Sequence, residues 1–219
     1  GPGSTLPALE AALAKEQLTP RNITHVLLTH IHLDHAGAAG WLSQQGAKVY
    51  VHPNGAPHLL NPEKLIASAA RIYGERMDQL WGEFLPVAQD QLKVPNDAEE
   101  IVIGSLRFVA INTPGHAEHH YSYLFEDLCF SGDVGGVRIP GYPYLRAPMP
   151  PPELHFGRWH ESISRLRKEK FTRIAPTHFG IFDDAQWQLN ELEKNLTAVE
   201  KWLENVMPAN PPVEELREK

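Results

Sequence analysis

Cysteine is almost absent from this chain of 219 residues: there is one, Cys129, so no intrachain disulfide can form. It sits in the apolar run Leu128-Cys129-Phe130, where a buried core thiol is the expected role. Long hydrophobic runs are missing as well. No stretch approaches the roughly 18 apolar residues that span a bilayer. With no visible signal peptide either, a cytoplasmic protein with no membrane partner is expected. Basic charge is in deficit, because 20 Lys and Arg stand against 27 Asp and Glu, for a formal net charge of −7. A general nucleic-acid binder needs a basic face, so none is expected here. Internal repeats, a glycine-rich phosphate loop and a Ser-His-Asp grouping are also lacking.

What the chain does have is histidine, concentrated in Thr29-His30-Ile31-His32-Leu33-Asp34-His35-Ala36-Gly37. The apolar run Val26-Leu27-Leu28 precedes this stretch and the small residues Ala36 to Gly40 follow it, a pattern of buried strand, loop and helix. If the backbone stays extended through the stretch, His30, His32 and Asp34 project to one side and His35 to the other. Imidazole nitrogen and carboxylate oxygen at this density suit a divalent ion or a pair of ions. A polar loop that merely solvates a strand end would not need so many ligands so close together.

The stretch matches the His-x-His-x-Asp-His motif of the metallo-β-lactamase superfamily, and three further segments resemble that family in its order. They are Thr113-Pro114-Gly115-His116, Ser131-Gly132-Asp133 and Thr177-His178, which together extend the resemblance over roughly residues 23 to 180. The fold it implies is α/β, an αββα four-layer sandwich in a single domain, 1–219, lacking its usual N-terminal strands. Those strands would precede Thr5, and Gly1-Pro2-Gly3-Ser4 resembles either the scar of a removed tag or the run that follows the family's first turn. An open sheet edge would then favour association.

By the same resemblance His30, His32 and His116 hold one metal, Asp34, His35 and His178 hold a second, and Asp133 bridges. Two divalent ions are implied, zinc by default, with manganese or iron as options because carboxylates are present. The resemblance to the glyoxalase II and lactonase branches rests on Asp133, which the true β-lactamases do not place here. No separate C-terminal helical domain of the glyoxalase II kind is visible.

The remaining segments frame this site. A helix is predicted over Thr5 to Gln17, then a strand Ile23–Thr29, a helix Ala36–Gln45 closed by Gly46, and a strand Ala47–His52. Residues 57–86 read as a helical insert; Tyr73, Met77, Trp81 and Phe84 would pack on the body, wall a pocket over the metals or make a homodimer contact. A hairpin turns at Gly104-Ser105 and another at Glu126-Asp127. Residues 135–152, rich in Pro, Gly and Tyr, leave directly from Asp133 and are read as a substrate-facing wall carrying Arg138, Tyr142, Tyr144 and Arg146. A helix over Trp159–Lys170, a strand at Ile174-Ala175-Pro176 and a helix from Asp184 to Val206 complete the pattern. His25, His52 and His58 are read as structural or surface residues. His120 matches the family's packing histidine, and His119, extra to the family pattern, is read as structural ahead of a substrate-side role.

The activity implied is hydrolysis by a metal-bound hydroxide, with Asp34 orienting the nucleophile or carrying its proton. Two divalent cations, two aspartates and a hydroxide would leave about +1 at the site, which draws anionic or carbonyl substrates. A small ester-like molecule, a lactone or thioester, is favoured, with Tyr73, Trp81, Arg138, Tyr144 and Arg146 as its contacts. The alternatives are a phosphodiesterase and a mononuclear-iron persulfide dioxygenase on the three-histidine side.

Overall fold

The chain changes its strand logic midway, and two different sheets result. Up to Lys93 short strands alternate with helices, which yields a parallel sheet; from Glu100 strands follow one another through tight turns, which yields a mainly antiparallel one. The computed structural model describes residues 1–150 and 152–209. Pro151 of the expected loop wall and the charged tail at 210–219 lie outside the described residues.

Helix α1 (Leu6–Lys15) follows a short 3-10 turn and directs Leu6, Leu9 and Leu13 inward, each only half-buried. Then come β1 (His25–Leu27), α2 (Leu33–Ala36), α3 (Ala39–Gln44) and β2 (Lys48–Tyr50). The helical insert is α4 (Ala56–Leu60), α5 (Glu63–Tyr73) and α6 (Met77–Trp81), and β3 (Leu92–Lys93) closes the half. Strand β1 pairs with β2 and β2 with β3, all parallel. The outer side of β1 carries no strand among the described residues. Beside that edge a cleft of about 510 Å³ opens between the sheets, lined by Leu27, Leu28, Phe108, Tyr123, Phe130 and Ile181 among others.

The second half runs β4 (Glu100–Ile103), β5 (Leu106–Asn112), β6 (Tyr121–Phe125) and β7 (Leu128–Phe130), with both expected hairpins in place. A small hairpin, β8 (Val137–Arg138) and β9 (Leu145–Arg146), lies inside the segment read from sequence as one continuous loop. Helix α7 (Phe156–Leu166), β10 (Arg173–Ala175) and α8 (Ala185–Val206) follow. The sheet order is β10-β7-β6-β5-β4, with β10 parallel to β7 and the other pairs antiparallel.

Alternation along the strands explains the layering. Phe108 and Ala110 of β5, with Tyr121 and Tyr123 of β6, face Leu27 and Tyr50 of the first sheet. The intervening Val109 and Ile111 join Trp159, Ile163 and Leu166 of α7 and Leu189, Leu192 and Leu196 of α8. On the far side, Leu6 and Leu9 of α1 pack with Ala38, Trp41 and Leu42 over Val26. The order is helix, sheet, sheet, helix. Cys129 is fully buried in the α7/α8 core, and burial pushes its thiol pKa up, so it is inert.

Trp159 ties this core to the second sheet. Its indole is fully buried and donates to the Val134 carbonyl at 2.9 Å. Replacing Trp159 with alanine should cost about 3–5 kcal/mol of unfolding free energy, read by denaturant titration. A loss below about 1 kcal/mol would show that the α7 core is not where the fold is anchored.

Candidate metal centre

Strand direction brings the polar residues to one place. In the second sheet β5, β7 and β10 run the same way, so the segments that leave their C-terminal ends emerge on one edge. Those segments carry His116, Asp133 and His178. The segment leaving β1 of the other sheet meets them there, held by two bonds: Tyr123 Oη donates to the Leu28 carbonyl at 2.9 Å and the Tyr121 amide to the Thr29 carbonyl at 2.6 Å.

The backbone is extended at His32 and becomes helical at Leu33. The expected one-sided grouping of His30, His32 and Asp34 therefore does not form. Helical turning carries Asp34 towards His35, while His30 and His32 stay with His116. Three donor sets result, each with its ligand atoms within 4.8 Å of one another: His30, His32 and His116; Asp34, His35 and His178; His30, His35 and Asp133. Asp133 stands between the first two. Its Oδ2 lies 3.4 Å from His116 Nε2, 3.6 Å from His35 Nε2 and 3.9 Å from His30 Nε2, and its Oδ1 lies 3.9 Å from His178 Nε2.

Hydrogen bonds settle which nitrogens are free. His116 Nδ1 faces the Pro148 carbonyl at 2.9 Å, and a carbonyl only accepts, so Nδ1 carries the proton and Nε2 the lone pair. That lone pair faces His32 Nδ1 at 3.0 Å. His30 uses Nδ1 on the Thr29 hydroxyl, leaving its buried Nε2 without a partner. Both nitrogens of His35 and Oδ1 of Asp133 are likewise buried and unpartnered. Buried polar atoms left unpaired are costly, and lone pairs among them are satisfied when a cation sits between them, so the donor sets fit divalent metal ions.

His120 is fully committed elsewhere. The Asp133 amide donates to its Nε2 at 3.3 Å, so its Nδ1 donates to Thr113 Oγ1 at 2.9 Å. It positions Asp133 and cannot be a ligand, as its packing role implied. A side chain at Gly132, where φ is +60°, would place Cβ 2.5 Å from His120 Nε2, so glycine is required for the approach.

The cleft over these residues measures about 670 Å³. Tyr73, Trp81 and Arg146 line it as expected, with Leu65, Ala69 and Ile72 of α5 forming an apolar side. The insert thus overhangs the ligands, while Phe84 packs into the first-sheet core. Two expected contacts do not reach the cleft lining. Arg138 is held at 2.5 Å by Asp184 and lies 4.5 Å over the rings of both Phe182 and Trp187. Tyr144 is 69% exposed and points into solvent. The β8/β9 hairpin turns the 139–144 tip, and Tyr144 with it, away from the cleft and returns at Leu145, which is buried. Sequence reasoning missed Lys64, His58, Ser68 and Phe179 in the lining. Lys64 had a usable signal: it lies one turn or two before Ala69 and Ile72 on the helix already expected to overhang.

The family profile described as the Metallo-beta-lactamase superfamily matches residues 1–178. A metallo-beta-lactamase fold-containing protein of Sulfurisphaera tokodaii is 31% identical over 163 residues, which is 73% of this chain and 61% of that protein. A hydroxyacylglutathione hydrolase of Xylella fastidiosa is 32% identical over 133 residues, 61% of this chain and 38% of that enzyme. The chain therefore spans less than two thirds of the length of these relatives. Among solved structures, an archaeal superfamily protein from Sulfolobus tokodaii superposes with a TM-score of 0.68 at 30% identity, covering 78% of this chain and 67% of that one. A family protein from Thermus thermophilus reaches 0.74 at 22% identity over 90% of this chain and 68% of its own, a likeness of fold.

Burial holds the imidazoles of His32 and His116 neutral, with pKa values lowered to about 3 and about 4 from an ordinary 6.5. Burial alone would raise the Asp34 carboxyl, but the His35 imidazole 3.2 Å away outweighs it and brings the pKa down to about 2. In the unfolded chain the histidines take up protons below about 6.5 that the folded chain refuses. Stability of the metal-free protein therefore rises with pH across that window and is lost as pH falls through it. The melting temperature of chelator-treated protein should fall steadily from about pH 7 to about pH 4; a flat profile would contradict the burial of neutral imidazole.

Proposed function

The chain belongs to the metallo-beta-lactamase superfamily, and on that premise we propose that it is a binuclear metal-dependent hydrolase of a small ester-like substrate, a lactone or thioester. The single observation that carries this reading is the pair of donor sets flanking Asp133, with unpartnered buried nitrogens turned towards it. His30, His32 and His116 would hold one ion and Asp34, His35 and His178 the other, with Asp133 shared. A bound pair of divalent ions supplies Lewis acidity and a water acidic enough to act as a nucleophile at neutral pH.

The chain's own residues do the rest. Asp34, ionised and about one-third exposed at its side chain, faces the cleft and can accept a proton from the attacking water or orient it. The Pro148 carbonyl and His120 keep His116 and Asp133 in place, so little reorganisation is needed at reaction. Leu65, Ala69, Ile72, Tyr73 and Trp81 offer an apolar wall for an acyl group. Arg146 and Lys64 line the same cleft and suit one anionic end, a task the tethered Arg138 does not share. The Xylella relative's name points the same way, since an acylglutathione is a thioester.

A panel of lactones, thioesters and phosphodiesters, assayed with metal-defined protein, tests the reading. Lactones or thioesters should be turned over fastest; faster turnover of phosphodiesters would make the substrate class wrong. Asp133→Ala should lower kcat by about 10²-fold or more. Trp81→Ala should instead raise KM several-fold, about 1 kcal/mol of ground-state binding, with kcat nearly kept.

A further inference from the structure

His119 occupies the position where the family pattern has glycine, and the structure gives it an unusual set of partners. It is buried, with 6% of its surface exposed. Its Nδ1 lies 3.3 Å from the Ile31 amide nitrogen, and its Nε2 lies 3.3 Å from Glu153 Oε2. An amide N–H only donates, so Nδ1 must carry the lone pair and Nε2 the proton. The Glu153 carboxylate is the acceptor nearest to that proton, 3.3 Å from Nε2. Glu153 is anchored in turn by the Glu118 amide, which donates to the same oxygen at 3.2 Å. The imidazole thus stands between the Ile31 amide, which donates to it, and the Glu153 carboxylate, which lies within ion-pair distance of its other nitrogen.

Ile31 is the residue between His30 and His32. Its own side chain is buried beside Leu28, Val49 and Val51, so the amide bond to His119 fixes the one polar group this residue has to offer on that side. The His119 ring is also stacked on His30 at 6.2 Å between centroids and edge-on to His32 at 5.5 Å. Both ligand rings are therefore braced by the same imidazole that holds the backbone joining them. Glu153 brings a second connection: it ends the proline-rich segment whose Pro148, Met149 and Pro150 line the cleft, and it lines the cleft itself.

We propose that His119 is a positioning residue that clamps the His30-Ile31-His32 segment to Glu153, and so sets the metal affinity of the three-histidine set. The proposal rests on the ligand reading above. Its chemistry is that of an outer partner that orients ligands without binding the ion, whose loss commonly weakens metal affinity by about 10–100-fold.

Two measurements on the full chain test it, one of which needs no metal. In metal-free protein the Ile31 amide should be protected from hydrogen exchange, and His119→Phe should expose it. His119→Asn, whose side-chain carbonyl can accept from the same amide, should restore part of the protection. Rapid exchange of Ile31 in the unaltered protein overturns the clamp itself. The second measurement is zinc affinity by competition with a chromophoric chelator, in a His178→Ala background that leaves the three-histidine set complete. His119→Phe should weaken binding about 10–100-fold, His119→Asn less, and Glu153→Ala, a change at an exposed side chain that the fold tolerates, by several-fold. If these variants lower the melting temperature but leave zinc affinity unchanged, His119 is only a packing residue and the proposal is wrong. If the His178→Ala protein binds no zinc while the Ile31 amide is protected as described, it is the ligand reading that has failed.

Discussion

Everything in this molecule turns on keeping several imidazole nitrogens and a carboxylate oxygen out of water without hydrogen-bond partners. Buried polar groups left unpaired are a liability, and a chain marginal in stability tolerates few of them. Here His30 Nε2, both nitrogens of His35 and Asp133 Oδ1 are left so in one place. The surrounding groups are spent on making that arrangement permanent. Pro148 fixes the His116 tautomer, Thr29 occupies the far nitrogen of His30, and His120 grips the Asp133 amide. Gly132 leaves room for that grip. The unpaired atoms make sense as donors arranged for cations, and the two-sheet architecture supplies the rigidity that holds them.

The αββα architecture was legible through the four segments that carry the family resemblance, and several of its elements through local pattern. The hairpin at Gly104-Ser105 and the buried stripe Leu189, Leu192, Leu196 follow from alternation and helical spacing. The stripe weakens beyond them, since Val199 and Leu203 are only half-buried near the helix end. The four segments that carry the His and Asp donors fall at strand ends, and strand order then decides that they meet. Less legible was anything set by a distant partner. Arg138 read as a free cation, yet Asp184 and two aromatic rings far along the chain retain it. Tyr144 read as a wall because nothing local signals the two-residue strands that turn it outward. The start of α2 at Leu33 was missed for a related reason: a four-residue helix carries too little periodicity to show, yet it divides the ligands between two sets.

Among the described residues the first sheet is small, three parallel strands with β1 at an edge and an apolar cleft beside it. The site does not depend on that edge. The β1 segment is held from the opposite sheet by Tyr121 and Tyr123, and from below by the helices that pack over Val26. The reach of the cleft is set by the insert instead, because α5 lines it together with Asp34 and His119. Variation in such an insert can change what is accepted while the chemistry beneath stays the same.

The central claim is that two complete ligand sets share Asp133, and metal stoichiometry tests it most directly. Protein stripped with chelator, reconstituted with zinc and freed of excess metal should carry two ions per chain by elemental analysis. His178→Ala should carry one, because the three-histidine set is left intact. A firm plateau at one ion in the unaltered chain, unchanged in His178→Ala, would contradict the account.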